Sequence, residues 1–247
     1  MTGSPSQPVN CLADADVFVL AGGLGTRVRS VLNDVPKLLA PLGGKTYLDH
    51  LLDWLQSFGA RRVVLGLGVH ADKIVAHVQS LASGNMEIVT IVEPSPLGTA
   101  GALRYARAQL KTDPVLVING DSFADVDLCK LIAHHHATHA QATLLCCEVD
   151  GAGRYGRLTL DEHGHIARFL EKDASFQGQA LINAGIYVFS AGLLDAVATG
   201  TAKSLEREVF ETLAPGSLAA FTECSRFIDI GTPESLAQAI SRFGAPS

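Results

Sequence analysis

Residues 20–27 read Leu20-Ala21-Gly22-Gly23-Leu24-Gly25-Thr26-Arg27, three glycines within four positions followed by an arginine. Glycines let a backbone turn tightly and bring N–H groups up against a polyphosphate, and an arginine adds a planar cationic fork. Neither common phosphate loop is matched: G-x-x-x-x-G-K-[ST] is absent, and Val28 stands where a G-x-G-x-x-G fingerprint needs its third glycine. Ten residues on, Pro36-Lys37 offers a point charge for a second phosphate. Two acids are placed to hold a hard cation, Asp121 after Val117-Ile118-Asn119-Gly120 and Asp229 in Phe227-Ile228-Asp229-Ile230-Gly231. Magnesium takes one or two carboxylates and fills its shell with water and phosphate oxygens, so one Mg²⁺ between these two is expected.

Two further segments suggest substrates. Glu93-Pro94-Ser95-Pro96-Leu97-Gly98-Thr99-Ala100-Gly101 holds a carboxylate beside a proline-stiffened turn, with Thr99 as the expected helix cap. Guanine offers two adjacent donors, N1–H and N2–H, which a carboxylate accepts together, whereas uracil and thymine offer one. Glu171-Lys172, after Phe169-Leu170, pairs an acceptor for sugar hydroxyls with a cation for a sugar phosphate, although Glu-Lys on a strand is also ordinary solvated charge.

Such residues need elements that present them. Short apolar runs alternate with amphipathic helical stretches through the first half: Asp16–Ala21, Tyr47–Phe58, Arg61–Leu67, Lys73–Leu81, Met86–Val92, Ala100–Leu110 and Val115–Ile118. That order is β-α-β, and the continuously apolar strands are those of a parallel sheet covered on both faces, with function at the carboxyl ends. From Thr143 the spacing shortens to Thr143–Val149, Gly156–Leu160, Ile166–Leu170 and Ile182–Phe189, a β-rich lobe. Helices are expected over Leu205–Leu213 and Pro233–Phe243, the latter with Thr232 as N-cap. The expected fold is therefore α/β, a Rossmann-like, mixed and mainly parallel sheet with helices on both faces. Residues 1–14 read as a flexible N-terminus and 15–247 as one domain, 15–140 mainly nucleotide-binding and 141–247 mainly sugar-phosphate-binding.

Composition narrows the class. A net charge of −6 and pI near 5.8 argue against nucleic acid, whose backbone requires a basic surface. No apolar run approaches the roughly 18 residues of a membrane span, and residues 1–14 lack a secretory signal's apolar stretch. Cys11, Cys129, Cys146, Cys147 and Cys224 form no C-x-x-C pair and are expected to be reduced cytoplasmic thiols. His134-His135-His136 with His139 is read as a solvated helix face rather than a metal site, and Cys146-Cys147 as core strand.

Taken in order, Leu-Ala-Gly-Gly-x-Gly-Thr-Arg, Pro-Lys, Leu-Gly-Thr-Ala-Gly, Asn-Gly-Asp, Arg154-Tyr155-Gly156, Phe-x-Glu-Lys, Asn183-Ala-Gly-Ile-Tyr and Asp-Ile-Gly-Thr-Pro resemble the sugar nucleotidylyltransferases over roughly residues 16 to 243. The subfamily they resemble most is the D-glycero-α-D-manno-heptose 1-phosphate guanylyltransferases. The resemblance implies attack by a sugar phosphate on the α-phosphorus of a nucleoside triphosphate, GTP favoured, with Mg²⁺ as cofactor; apolar helices in the second half separately leave room for a homodimer. The resemblance also implies that Arg27 and Lys37 bind the triphosphate, Asp121 and Asp229 the metal, and Lys172 the attacking phosphate, these five being the catalytic set. Nucleotide contacts would come from Leu20, Ala21, Gly22, Gly23, Gly25, Thr26, Glu93, Gly98, Thr99, Asn119 and Gly120, and sugar-phosphate contacts from Tyr155, Gly156, Glu171, Lys172 and Asn183. Leu38 after Lys37 and Asp173 after Lys172 replace the family's frequent prolines, a change of loop shape. The sequence also stops without the hexapeptide-repeat domain of many relatives, so acetyl transfer is not expected. The rival readings are a glycosyltransferase using Asp125-Val126-Asp127 as a D-x-D, mannose- or glucose-1-phosphate as the sugar, and a silent sugar-nucleotide-sensing subunit.

Overall fold

In the computed structural model, residues 10–23, 25, 28–33, 35–81 and 85–244 are described. The first half runs β1 (Asp16–Ala21), α1 (Arg29–Leu32), β2 (Pro41–Leu42), β3 (Lys45–Thr46), α2 (Tyr47–Ser57), β4 (Arg62–Leu67), α3 (Ala71–Ser80), β5 (Glu87–Val92), α4 (Gly98–Ala106) and β6 (Val115–Asn119). The second half continues with β7 (Ser122–Asp125), α5 (Leu128–Thr138), β8 (Ala142–Val149), β9 (Arg157–Leu160), β10 (Ile166–Leu170), β11 (Ala180–Phe189), α6 (Ala191–Thr199), α7 (Leu205–Glu208), β12 (Leu218–Phe221), β13 (Arg226–Asp229) and α8 (Pro233–Gly244).

One nine-stranded mixed sheet carries nearly everything, in the order β10-β9-β11-β6-β1-β4-β5, with β8 on β11 and β12 on β8. β1 lies parallel between β4 and β6, and Val17, Phe18 and Val19 are fully buried, as a strand covered on both faces must be. The β-rich second half extends this same sheet through the antiparallel β11–β6 pair. Two apolar clusters flank it, one built on Leu48, Leu51 and Leu55 of α2, the other on Leu103 of α4 with Phe189 and Phe210.

Thr232 caps α8 as expected: its Oγ1 accepts from Ser235 N at 3.2 Å, and Ser235 Oγ accepts from Thr232 N at 3.1 Å. The helix expected over Leu205–Leu213 is broken instead into α7 and a single 3-10 turn at Phe210–Thr212. Residues 10–14, read as part of a flexible terminus, are anchored. Leu12 is fully buried and its N–H donates to Phe58 O at 3.0 Å.

The expectation of reduced thiols is corrected. Cys11 is bridged to Cys129 and Cys147 to Cys224, with Cα separations of 5.4 and 5.3 Å. These are ordinary disulfide reaches between residues 118 and 77 positions apart, a pairing that spacing alone does not reveal. Cys146 stays a buried thiol, pushed up to about 12 by burial. No helix among the described residues is long and apolar enough to cross a membrane.

The solvated histidine face is also corrected. α5 packs on β8 and β12, and consecutive side chains point differently, so His135 turns inward with 5% exposure and its Nδ1 lies 3.0 Å from Thr143 Oγ1. His134 packs on Phe221, while His136 and His139 are exposed. Burial, helped by His136, lowers the His135 pKa from 6.5 to about 4. The unfolded chain therefore binds more protons between those values, so stability is full above about pH 6.5 and declines as pH falls toward 4. About 1–2 kcal/mol should be lost between pH 7 and 5. Thermal melts should show a steeper acid decline for the wild type than for His135→Gln; parallel declines would exclude this origin.

Candidate active site

The carboxyl ends of β1, β5 and β6 open into a cavity of about 380 Å³, lined by Leu20, Ala21, Gly22, Gly23, Gly25, Lys37, Glu93, Gly98, Thr99, Asn119, Gly120 and Asp121. Every expected nucleotide-binding residue that the structure describes is thus in one place; Thr26 and Arg27 lie outside the described residues. Gly25 has φ +59°, a conformation that favours glycine, and a Cβ there would meet the Lys37 side chain at 3.5 Å, so Lys37 runs directly beneath the loop. Gly22 is needed for closeness: a Cβ would fall 2.6 Å from Glu93 Oε1.

Glu93 is 9% exposed at the end of the cavity formed by Pro96, Leu97 and Val69. Its Oε2 accepts from Leu97 N at 3.1 Å. Burial raises its pKa, and the Leu97 hydrogen bond only partly opposes this. Thr99 does not cap α4. Leu97 holds the N-cap position without a side-chain bond, and Thr99 Oγ1 instead accepts from Leu205 N at 2.8 Å and donates to Glu206 Oε2 at 3.4 Å. The hydroxyl has been captured by α7, which is remote in sequence.

A second cavity of about 450 Å³ abuts the first, sharing Asn119 and Asp121 with it. Tyr155, Gly156, Glu171, Lys172, Asn183 and Asp229 all line it, so the expected sugar-phosphate set is assembled as well. Lys172 is exposed at the rim. Glu171 already has a partner, the Arg207 guanidinium at 2.9 Å. Asn183 is held by both ends, accepting from Gly185 N at 2.9 Å and donating to Tyr187 Oη at 3.0 Å.

The two acids line one cavity because β7 and β13 form a short antiparallel pair, Asp229 opposite Ser122, with Ile230 N donating to the Asp121 carbonyl at 2.9 Å. Tyr47 anchors β7 from below, its Oη donating to Ser122 O at 2.7 Å. Asp121 carries a resident cation, Lys37 Nζ at 2.9 Å. Asp229 carries another, Arg154 Nη2 at 2.8 Å, and also accepts from Tyr155 Oη at 2.5 Å. Burial works against ionising Asp229, but Tyr155, the Gly231 N–H, Arg154 and Ser235 together hold its carboxyl below the ordinary value. No group of three or more His, Cys, Asp or Glu side chains placed to hold a metal ion occurs among the described residues. Two carboxylates at the wall of a cavity roomy enough for phosphate oxygens fit a hard, oxygen-seeking cation such as Mg²⁺ rather than a closed zinc site.

The family model described as Nucleotidyl transferase matches residues 17–244. The chain belongs to that family. Among relatives of this chain, the mannose-1-phosphate guanylyltransferase of Mycobacterium tuberculosis is 33% identical over 222 residues, covering 89% of this chain and 62% of that protein. The chain thus spans about three fifths of that relative. The D-glycero-alpha-D-manno-heptose 1-phosphate guanylyltransferase of Campylobacter jejuni is 32% identical over 217 residues, covering 88% of this chain and 95% of that one. The crystal structure of HddC from Yersinia pseudotuberculosis superposes with a TM-score of 0.82 at 34% identity, covering 93% of this chain and 99% of that chain, and so does its complex with GMP-PN.

Some lining residues of the two cavities carry no sequence signal. Val69 and His70 enter the first cavity from the β4–α3 turn, and Ser204, Glu206, Arg207 and Glu211 enter the second from α7 and its flanks. Arg154 belongs to the motif Arg154-Tyr155-Gly156, which by itself assigns it no role. The rival D-x-D loses its chemistry here, since Asp127 caps α5 by accepting from Cys129 N at 2.9 Å and Lys130 N at 3.2 Å.

Proposed function

We propose that the chain is a Mg²⁺-dependent sugar-1-phosphate guanylyltransferase that joins GTP to D-glycero-α-D-manno-heptose 1-phosphate. The observation that carries this reading is the meeting of two cavities at Asn119 and Asp121, the first walled mainly by glycines and apolar residues, the second carrying more charged and polar side chains, Arg154, Glu171, Lys172 and Asp229 among them. A base and triphosphate suit the first, a sugar phosphate the second, and the reacting phosphorus falls where they join. An oxygen of the sugar phosphate attacks the α-phosphorus, the bond from that phosphorus to the bridging oxygen breaks, and pyrophosphate leaves.

In this reading Asp121 and Asp229 hold the cation, which when bound draws charge from the phosphate oxygens. Lys37 supports the triphosphate from beside Gly25, Lys172 orients the attacking phosphate, and Arg27 is assigned to the triphosphate by the sequence motif alone. Positioning and charge stabilisation are what such transfers need, with no protein nucleophile. The similarity to the Campylobacter enzyme, which spans nearly its whole length, supports the heptose, while the similarity to the mycobacterial enzyme favours mannose 1-phosphate as a second reading.

The test is pyrophosphate release from GTP, ATP, CTP, UTP and dTTP against mannose-, glucose- and D-glycero-D-manno-heptose 1-phosphates, with Mg²⁺ and then with chelator. Release from GTP and the heptose phosphate alone, lost on chelation, is expected. Silence with every pair would overturn the reading in favour of a sensing subunit. Lys172→Ala should raise the KM for the sugar phosphate by about 10-fold or more, in line with losing a hydrogen bond to a charged group, and leave that for GTP nearly unchanged. A constant sugar-phosphate KM would move the sugar site elsewhere.

A further inference from the structure

We infer that Arg154 is a counter-ion that a divalent cation must displace from Asp229, and that the displaced guanidinium then engages the sugar phosphate. The inference rests on the reading of Asp121 and Asp229 as the cation's holders. Both oxygens of Asp229 are engaged by donors of the protein itself. Oδ1 accepts from Gly231 N at 2.7 Å and Ser235 Oγ at 3.0 Å; Oδ2 accepts from Arg154 Nη2 at 2.8 Å and Tyr155 Oη at 2.5 Å. A carboxylate has about four lone-pair sites, and four donors occupy them. A cation gains Asp229 only by removing one.

The four donors do not yield equally. The Oδ1 pair is a backbone N–H and a hydroxyl buried in the α8 cap, so losing either disturbs the helix start. Arg154 stands apart as a long side chain, 43% exposed, resting on the Tyr155 ring at 4.6 Å and reaching Thr232 Oγ1 at 3.2 Å. It is also the one cationic donor, and a guanidinium and a divalent cation on the same oxygen repel each other. Arg154 is therefore the group that leaves Oδ2. It lines the same cavity as Lys172, where a guanidinium finds in a phosphate a partner it can grip with two N–H bonds. Cation entry and sugar-phosphate binding are then linked through one side chain, and linkage is reciprocal.

The test is Mn²⁺ binding to the full chain, read by the electron paramagnetic resonance of free Mn²⁺, with and without glucose 1-phosphate as the probe. Arg154→Gln should bind Mn²⁺ alone about 3- to 10-fold more tightly than wild type, and the sugar phosphate should no longer strengthen Mn²⁺ binding. Arg154→Lys, which keeps a charge there, should stay near wild type, and Asp229→Asn should bind weakly. Equal or weaker binding by Arg154→Gln, with Asp229→Asn still impaired, overturns the role of Arg154 alone. Binding indifferent to Asp229→Asn overturns the metal assignment and this inference with it.

Discussion

Asp121→Asn is expected to lower kcat at saturating Mg²⁺ by at least about 100-fold, the scale on which loss of one preorganised charge contact in a transition state is felt. The substitution is isosteric, and the interaction that joins β13 to this segment uses the Asp121 backbone carbonyl, which asparagine retains. The side chain is 35% exposed, so the melting temperature should move little. Two causes of lost activity are separable. Asp121 also positions Lys37, at 2.9 Å, and asparagine would hold an ammonium less firmly. Weakened cation binding should show as a raised Mg²⁺ concentration for half-maximal activity, whereas a displaced Lys37 should leave that concentration unchanged and show instead as a raised KM for GTP. Turnover equal to wild type at saturating Mg²⁺ would remove Asp121 from the metal site.

The contrast between Asp121 and Asp229 explains what was legible in the sequence. Asp121 follows the buried run Val115–Ile118, so a parallel strand, its carboxyl end and the acid just beyond it can be read from a handful of neighbours. The glycine loop after β1 is equally local. Asp229 stands out only through its motif, because β7 and β13 are four-residue strands whose period is too short to announce them. Its electrostatics come from Arg154 and Tyr155, about 75 positions away, and no spacing rule brings them there. Thr99 failed as a cap for the same reason: a local role was available, but α7, more than 100 residues on, took the hydroxyl. The disulfides and His135 were hidden likewise, since burial and pairing are decided by which element packs on which. Local chemistry was readable; the partners that tune it were tertiary.

Glu93→Gln should narrow the preference for GTP over UTP by about 10- to 100-fold in kcat/KM, the 1–3 kcal/mol that a paired contact to one base edge contributes to discrimination. With Oε2 taken by Leu97 N and Oε1 against Gly22, the ionised carboxylate presents acceptors to a base edge, and glutamine would replace one by a donor facing the donors of guanine. The volume is unchanged, so the cavity keeps its shape and a general loss with every nucleotide is not expected. The pH dependence supplies an independent check. Burial raises the Glu93 pKa, so as pH falls the acid protonates sooner than an ordinary glutamate and a carboxylate acceptor becomes a donor. The wild-type preference for GTP should therefore weaken toward acid pH, while that of Glu93→Gln should stay flat. If the variant discriminates as well as wild type, the base is recognised elsewhere, and the backbone groups around Gly22 and Leu97 become the place to look.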